Sequence, residues 1–314
     1  MILCNGEALI DMVPVENSAT RCLSPLAGGA IFNTAIALGR LGVPTGYLSG
    51  LSTDLFGVQL EQTLCKSNVD ASFTIRSDRP TTLAFVKLSN GHAEYTFYDE
   101  NTAGRMITPA DLPDIPASVQ AMYFGGISLC SEPAASTYLA LCEQYALRKV
   151  TMIDPNVRPG FVSDRAAYIA RINRMIALAD IVKVSDEDLD WLIPGDQPIL
   201  DKLAALKAIG PSIAILTQGA KGPTALIAQG QTVRVPVPQV TVKDTVGAGD
   251  TFNAGVLAKL HKLGLLEKSK IAQISASDAT EALALGVAVS AVTVSREGAN
   301  PPWASELESE ATPS

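Results

Sequence analysis

The sequence predicts an α/β protein, a mainly parallel sheet covered by helices on both faces, and three observations predict it. Short apolar runs at 2–5, 47–49, 121–124, 150–154, 181–184 and 213–217 alternate with helix-period segments at 54–66, 133–149, 165–177, 199–209, 248–263 and 278–292. The 314 residues suit one large domain or a large-plus-small pair, at about 150 residues per domain. Hydrophobic residues make up 47% and charged residues 18%, so the bulk of the chain can bury a core and is not disordered.

Taken in order, the first strand at 2–5 runs on to a helix that begins near Ile31, where Ile31, Ala35, Leu38 and Gly39 recur at helical spacing. Gly42-Val43-Pro44 ends it. The alternation then breaks. From 71 to 98 the chain reads as strands alone, at 71–75, 83–88 and 93–98, and the last two flank Asn90-Gly91, a hairpin signal. Residues 13–26 form a second non-helical excursion. The two stretches read either as a small sheet standing outside the core or as ordinary surface insertions. The tail after Trp303 is polar and acidic and is expected to fray.

Charge and composition exclude several function classes. Twenty-four basic against thirty-two acidic side chains give −8, which argues against a nucleic-acid face built on clustered Lys and Arg. The longest apolar stretch, 282–294, contains Ser290 and Thr293 and is too short to span a bilayer. The opening residues lack the basic start and apolar run of a signal peptide. Cys4, Cys22, Cys65, Cys130 and Cys142 are odd in number and contain no C-x-x-C pair, so reduced thiols in a cytoplasm are expected and a zinc site is not. His92 and His261 share no metal-ligand spacing.

The chemistry concentrates in Asp244-Thr245-Val246-Gly247-Ala248-Gly249-Asp250-Thr251-Phe252. Phe252, Val256, Leu260 and Leu263 follow at helical spacing, so a helix starts within Gly247–Asp250. Two glycines and an alanine leave the backbone bare, and successive N–H groups at a helix N-terminus form an anion cradle. Asp250 would stand beside the cradled anion, an arrangement that suits proton abstraction. Read singly, Asp250 is as well explained as an ordinary acid in a first helical turn. The nonapeptide as a whole is not, because a helix start needs no Gly-x-Gly-Asp-Thr.

That nonapeptide resembles the C-terminal signature of the PfkB, or ribokinase-like, family of sugar kinases. A partner signature is present in Gly28-Gly29-Ala30-Ile31-Phe32-Asn33-Thr34-Ala35 through Leu38-Gly39-Arg40-Leu41-Gly42, and in Gly50-Leu51-Ser52-Thr53-Asp54-Leu55-Phe56-Gly57. The resemblance covers nearly the whole chain. It implies a three-layer α/β/α core over 1–12, 27–69 and 105–314, with a β-sheet lid from 13–26 and 70–104 that covers the sugar and pairs with a second subunit as a homodimer. It also implies a cytoplasmic enzyme using ATP and Mg2+.

By the same resemblance Asp250 is the catalytic base, and the N–H groups of Gly247, Ala248 and Gly249 stabilise the transferring phosphoryl group. Lys183 and Ser185, with Thr217, Gly219 and Gly222 of the strand-end turn, would meet the nucleotide, and Asn253, Ala284 and Ala288 would border the adenine. Asp244 and the carbonyl of Val246 correspond to a monovalent-cation site, for K+. Ser185-Asp186-Glu187-Asp188 replaces the family's Asn-x-x-Glu at both ends, so magnesium is expected to arrive with the nucleotide rather than through Asp188. No Gly-x-x-x-x-Gly-Lys-Ser/Thr occurs, which excludes a P-loop kinase, and Gly6-Glu7-Ala8-Leu9-Ile10-Asp11 is not the Gly-x-Gly-x-x-Gly of a nicotinamide dehydrogenase.

Sugar recognition would use Asp11, Gly28, Gly29 and Asn33, with Phe97 from the lid. Asp and Asn can accept from and donate to adjacent hydroxyls, and paired glycines let the backbone approach. Asp154-Pro155-Asn156-Val157-Arg158-Pro159 is similar to a segment of fructokinases and 2-keto-3-deoxygluconate kinases, with Arg158 placed either on a substrate oxygen or phosphate or in a structural ion pair. Keto-acid kinases carry a lid Arg after an aromatic residue. Here Phe97-Tyr98-Asp99-Glu100 puts acids there, which repel a carboxylate and favour a neutral ketose. Arg105 leaves an anionic substrate as the alternative, alongside ribose. A silent sugar-binding regulator would be expected to lack the base or the anion cradle.

Overall fold

Apolar strands flanked by amphipathic helices collapse here onto one twisted sheet whose strand ends on one side are left for chemistry. The computed structural model describes residues 1–15, 22–89 and 92–310. The first part of the chain gives β1 (Ile2–Asn5), β2 (Leu9–Pro14), β3 (Leu23–Gly28), α1 (Ala30–Arg40), β4 (Thr45–Leu48), β5 (Gly50–Ser52), α2 (Leu55–Lys66), β6 (Val69–Asp70) and β7 (Ile75–Ser77). Next come β8 (Thr82–Ser89), β9 (His92–Tyr98), β10 (Ala121–Gly125), α3 (Ala134–Tyr145), β11 (Val150–Asp154), α4 (Arg165–Leu178), β12 (Ile181–Ser185), α5 (Asp186–Leu192) and α6 (Ile199–Ala208). The last part gives β13 (Ile213–Thr217), β14 (Pro223–Leu226), β15 (Thr232–Arg234), α7 (Ala248–Lys262), α8 (Lys268–Ile271), α9 (Ala276–Val294) and α10 (Ala304–Glu310).

The main sheet runs β15-β14-β13-β12-β11-β10-β1-β4-β6. It is parallel from β13 to β6, and β14 and β15 add antiparallel at one edge. β1, β10, β11 and β12 are almost entirely buried, as strands covered on both faces must be. On one face Phe32 and Leu38 of α1 pack with Leu257 of α7 and Leu283 of α9. On the other, Tyr138 of α3, Ile172 of α4 and Leu203 of α6 form a second apolar layer.

Helix α9 begins two residues before the expected 278 and is long and apolar enough, by length and composition, to cross a bilayer. It instead packs on α7, where small residues set the distance. A Cβ on Gly255 would lie 2.6 Å from the Gly286 Cα, and one on Gly286 would lie 2.8 Å from the Phe252 ring.

The strand-only excursions do form a separate sheet, ordered β3-β2-β8-β9. Its limits differ from the expected ones. β2 starts at Leu9 and β3 reaches Gly28, because both strands continue until they meet the core, while the segment expected as a lid strand at 71–75 does not join this sheet. Its neighbours β6 and β7 pair instead with β4 and β5. The Asn90-Gly91 turn lies outside the described residues, but β8 and β9 pair antiparallel up to Ser89 and His92. The tail does not fray at once. Arg296 grips Glu306 at 2.5 Å, and the Glu306 carboxylate accepts the Trp303 N–H at 2.7 Å, which starts α10.

Candidate active site

A cavity of about 1290 Å³ lies between the small sheet and the C-terminal ends of the parallel strands. At its floor α7 begins. Gly247 caps the helix at φ 78°, a left-handed backbone that favours glycine, and a Cβ there would meet Ala299 at 2.7 Å. The N–H groups of Gly247 and Gly249 have no partner among the described residues, whereas that of Ala248 reaches the Thr245 carbonyl at 3.3 Å. The cradle expected from three consecutive N–H groups is thus carried mainly by the two glycines, since the turn closes through Ala248.

Asp250 sits in the first turn of α7, 8% exposed. The Asn33 side-chain amide donates to its Oδ2 at 2.9 Å, and the Thr34 hydroxyl donates to its main-chain carbonyl at 3.0 Å. Helix α1 therefore holds Asp250 in place through two adjacent residues. Burial pushes the Asp250 carboxyl up to about 7, helped by the nearby Asp154 charge and opposed by Asn33, Lys183 and Arg158. A carboxylate poised there is matched to proton abstraction near neutrality.

Lys183, the middle residue of β12, is 4% exposed and lines the same cavity. A Cβ on Gly249 would lie 3.2 Å from its Nζ, which fixes the ammonium beside the glycine turn. Burial lowers the Lys183 pKa, but Asp154 foremost, then Asp188 and Asp250, carry it above its ordinary 10.5. A permanent positive charge thus joins the two N–H groups at one spot, which is what a polyphosphate tip requires.

The side of the cavity where a sugar is expected is built from the chain after β1, from β2 and from the start of α1. The Glu7 carboxylate accepts the N–H groups of Ala30 at 3.0 Å and Ser128 at 3.2 Å, tying the first strand to α1 and to the loop after β10. Asp11 on β2 lines the cavity, with no hydrogen-bond partner among the described residues, and burial raises its pKa to about 6. A Cβ on Gly28 would fall 2.3 Å from Asp11 Oδ2 and push that carboxylate aside, and Gly29, at φ 112°, passes the Glu7 carbonyl too closely for any side chain. Asn33 and Gly29 line the cavity.

Phe97 reaches from β9 to an edge contact with Phe161, ring centroids 4.4 Å apart. Arg158 also lines the cavity, its guanidinium bonded to the Val157 and Asn156 carbonyls at 3.1 and 3.3 Å, with no ion pair among the described residues. The sequence reading did not single out Phe161, Arg171 or Glu132, all of which line the cavity. None belongs to a motif, and only the fold brings them in.

The expected nucleotide residues divide. Ser185 and Thr217 line the cavity. The Ser185 hydroxyl caps α5 by accepting the Asp188 N–H at 3.0 Å. Gly219 and Gly222 stand in the turn after β13 but do not line the cavity, and Gly222 is required at φ 82° because a Cβ would meet the Val235 carbonyl at 2.5 Å. Asn253 stands outside the cavity lining. It is fully buried, donating to Asp154 Oδ2 at 2.7 Å and contacting the Tyr123 hydroxyl at 2.9 Å. The helical period turns Asn253 inward, three residues beyond the base. Ala284 lies on the exposed side of α9 and Ala288 is half-buried, both outside the cavity lining.

Asp188 spends one oxygen on the Val157 N–H at 2.8 Å and the other on the Ser185 N–H at 3.1 Å, so it is a structural tie. Asp244 likewise accepts from Val246 at 3.0 Å and Gly298 at 2.9 Å, stapling the loop that leads into the glycine turn, and Val246 lines the cavity.

A glycine-bearing helix start, a buried lysine and a buried carboxyl raised to about 7, all beneath a small sheet, are the parts that phosphoryl transfer to an alcohol calls for. The chain belongs to the pfkB family of carbohydrate kinases, whose family model matches residues 1–306. It is 52% identical over 277 residues to a fructokinase of Rhizobium leguminosarum bv. trifolii, covering 87% of this chain and 84% of that protein. Among solved structures it is similar to fructokinase of Xylella fastidiosa with bound ATP, with a TM-score of 0.89 at 27% identity, covering 98% of this chain and 97% of that one. It is similar also to aminoimidazole riboside kinase of Salmonella enterica, with a TM-score of 0.85 at 27% identity, over 98% of each chain. The fold is the ribokinase-like one, and the protein is a carbohydrate kinase that uses ATP.

Proposed function

We propose that this chain is an ATP-dependent fructose kinase, transferring the γ-phosphoryl group to the terminal hydroxyl to give fructose 6-phosphate. The observation that carries the reading is the convergence of Asp250, the Gly247 and Gly249 N–H groups and Lys183 on one cavity that also holds Asp11, whose carboxylate has no partner among the described residues. Fructose would place vicinal hydroxyls against Asp11 and Asn33. Asp250 takes the proton of the terminal hydroxyl as its oxygen forms the bond to the γ-phosphorus. The bond from that phosphorus to the β-bridging oxygen breaks, and ADP leaves with the electron pair. The glycine N–H groups and Lys183 stabilise the charge spread over the phosphoryl oxygens.

A neutral acceptor is supported by the charge pairing of two cavity arginines, Arg105 at 4.0 Å from Asp99 and Arg171 bonded to Glu132, which leaves Arg158, felt at Asp250, to the transferring phosphoryl group. The Phe97–Phe161 contact draws the small sheet over the sugar and excludes water, which otherwise competes as acceptor.

Both Asp188 oxygens are engaged, so Mg2+ is best brought in on ATP, where it neutralises the phosphates, and the Glu187 side chain at the cavity edge would hold its water. We place K+ against Asp244 and the Val246 carbonyl, which replacement of K+ by choline would test through turnover. A homodimer through the small sheet is supported by Leu23 and Leu26, 41% and 44% exposed on its edge strand, and sedimentation as a monomer at assay concentration would contradict it. A cytoplasmic site of action is consistent with five cysteines that form no disulfide among the described residues.

A panel of fructose, ribose, 2-keto-3-deoxygluconate and aminoimidazole riboside in a coupled ADP-release assay tests the substrate. Fructose should give the highest kcat/KM, and a higher value for any other acceptor would overturn the assignment.

A further inference from the structure

Behind the cavity floor Lys183 is tied into a buried polar network whose other side chains, those of Asp154, Asn253 and Tyr123, do not line the cavity. Asp154, at the end of β11, is 1% exposed. Its Oδ2 accepts Lys183 Nζ at 3.0 Å and Asn253 Nδ2 at 2.7 Å, and its Oδ1 accepts the Asn156 N–H at 3.2 Å. Asn253 in turn meets the Tyr123 hydroxyl at 2.9 Å, and Tyr123 is 1% exposed. Three strands and α7 thus converge on one carboxylate, and among the described residues the only side-chain charge bonded to it is the ammonium beside Gly249. A lysine has four rotatable bonds and a strongly hydrated head, so without a fixed partner it would not stay desolvated at one point.

We infer that Asp154 is a positioning residue for phosphoryl transfer: pinned by Asn253 and the Asn156 N–H, it holds the Lys183 ammonium at the glycine turn. Its effect on the reaction runs through Lys183. The inference rests on the kinase reading but is separable from it, because a lysine held at a phosphate site also governs nucleotide binding.

The test is a double-mutant cycle of Asp154→Asn and Lys183→Met, read on kcat and on the Kd of a non-hydrolysable ATP analogue. Losing one preorganised donor costs about 100- to 1,000-fold in rate. Asp154→Asn leaves the ammonium present but unanchored, so a kcat loss of about 10- to 100-fold is expected, with the fructose KM little changed. The double variant should be no slower and bind the analogue no more weakly than Lys183→Met alone. Losses that multiply would overturn the inference.

A pH profile adds a readout that mere structural damage would not move. Lys183 faces Asp154 on β11, Asp188 on α5 and Asp250 on α7. Without the first of these, burial lowers the lysine's pKa, and kcat should gain an alkaline limb that the wild type lacks. An unchanged profile in Asp154→Asn counts against the proposal. If that variant does not fold, Asn253→Ala unpins the carboxylate and keeps the ion pair. A smaller loss in the same two quantities is expected, and unchanged values would overturn the inference. Should the wild type phosphorylate no sugar, the kinase reading fails and the analogue Kd cycle alone decides this one.

Discussion

Acidification should protonate Asp250, the proposed catalytic base, far above the range in which ordinary carboxylates titrate. Asp250 is held at about 7 against an ordinary 3.8 because it is buried and faces Asp154. Only its ionised form accepts the sugar proton, so kcat should fall about tenfold for each pH unit below 7. The fall in kcat/KM should steepen below pH 6, where Asp11, held at about 6, also loses the charge that accepts sugar hydroxyls.

The same shift has a consequence for stability with a definite sign. A carboxyl held at about 7 instead of 3.8 costs about 4 kcal/mol to keep ionised in the folded protein. That cost is present in full above pH 7 and vanishes as the pH falls toward 4, because the folded state holds the proton more tightly. Asp250→Asn should therefore melt higher than the wild type at pH 8, with the difference shrinking to nothing near pH 4. Steady-state assays from pH 5 to 9, paired with thermal melts, read both effects. Rates flat down to pH 5, or a variant that melts lower at pH 8, would refute the assignment of a strained, buried base.

Asp11→Asn should raise the fructose KM about 10- to 100-fold with a smaller change in kcat, since a hydrogen bond to a charged group is worth about 1.5–3 kcal/mol; isothermal titration with fructose checks it. Gly247→Ala forces a side chain into a left-handed turn and against Ala299, costing about 1–3 kcal/mol of local strain and weakening ATP binding, measured by nucleotide titration. Phe161→Ala removes the core half of the aromatic contact with Phe97, worth about 0.5–1.5 kcal/mol beyond its buried area. It should raise the fructose KM several-fold and increase ATP hydrolysis uncoupled from sugar phosphorylation.

Much of this architecture was legible in the chain because parallel strands buried on both faces read as apolar runs, and β1, β11 and β13 fall where those runs predict. The short edge strands β14 and β15 escaped because only strand pairing organises Pro223–Leu226 and Thr232–Arg234. The start of α7 was legible through its glycines, whose backbone requirement shows directly in residue type. The bond of Asn253 to Asp154 was not legible, because sequence adjacency to Asp250 does not tell which side of the helix a residue takes. Phe161 and Arg171 carried no local signal. Their place at the cavity depends on loops packed against strands far away in sequence. Asp99 was read for its charge, yet its bonds to the Thr82 and Thr102 hydroxyls could come only from the fold.

The account stands most directly on what Asp250 does once both substrates are bound. Single-turnover phosphoryl transfer to fructose should be measured in wild type and Asp250→Asn at pH 8, with fructose affinity determined separately by calorimetry. The account predicts fructose binding within a few-fold of wild type and a transfer rate lower by about 10²- to 10⁴-fold, the size expected for loss of a general base. Transfer at close to the wild-type rate, with fructose bound, would contradict it.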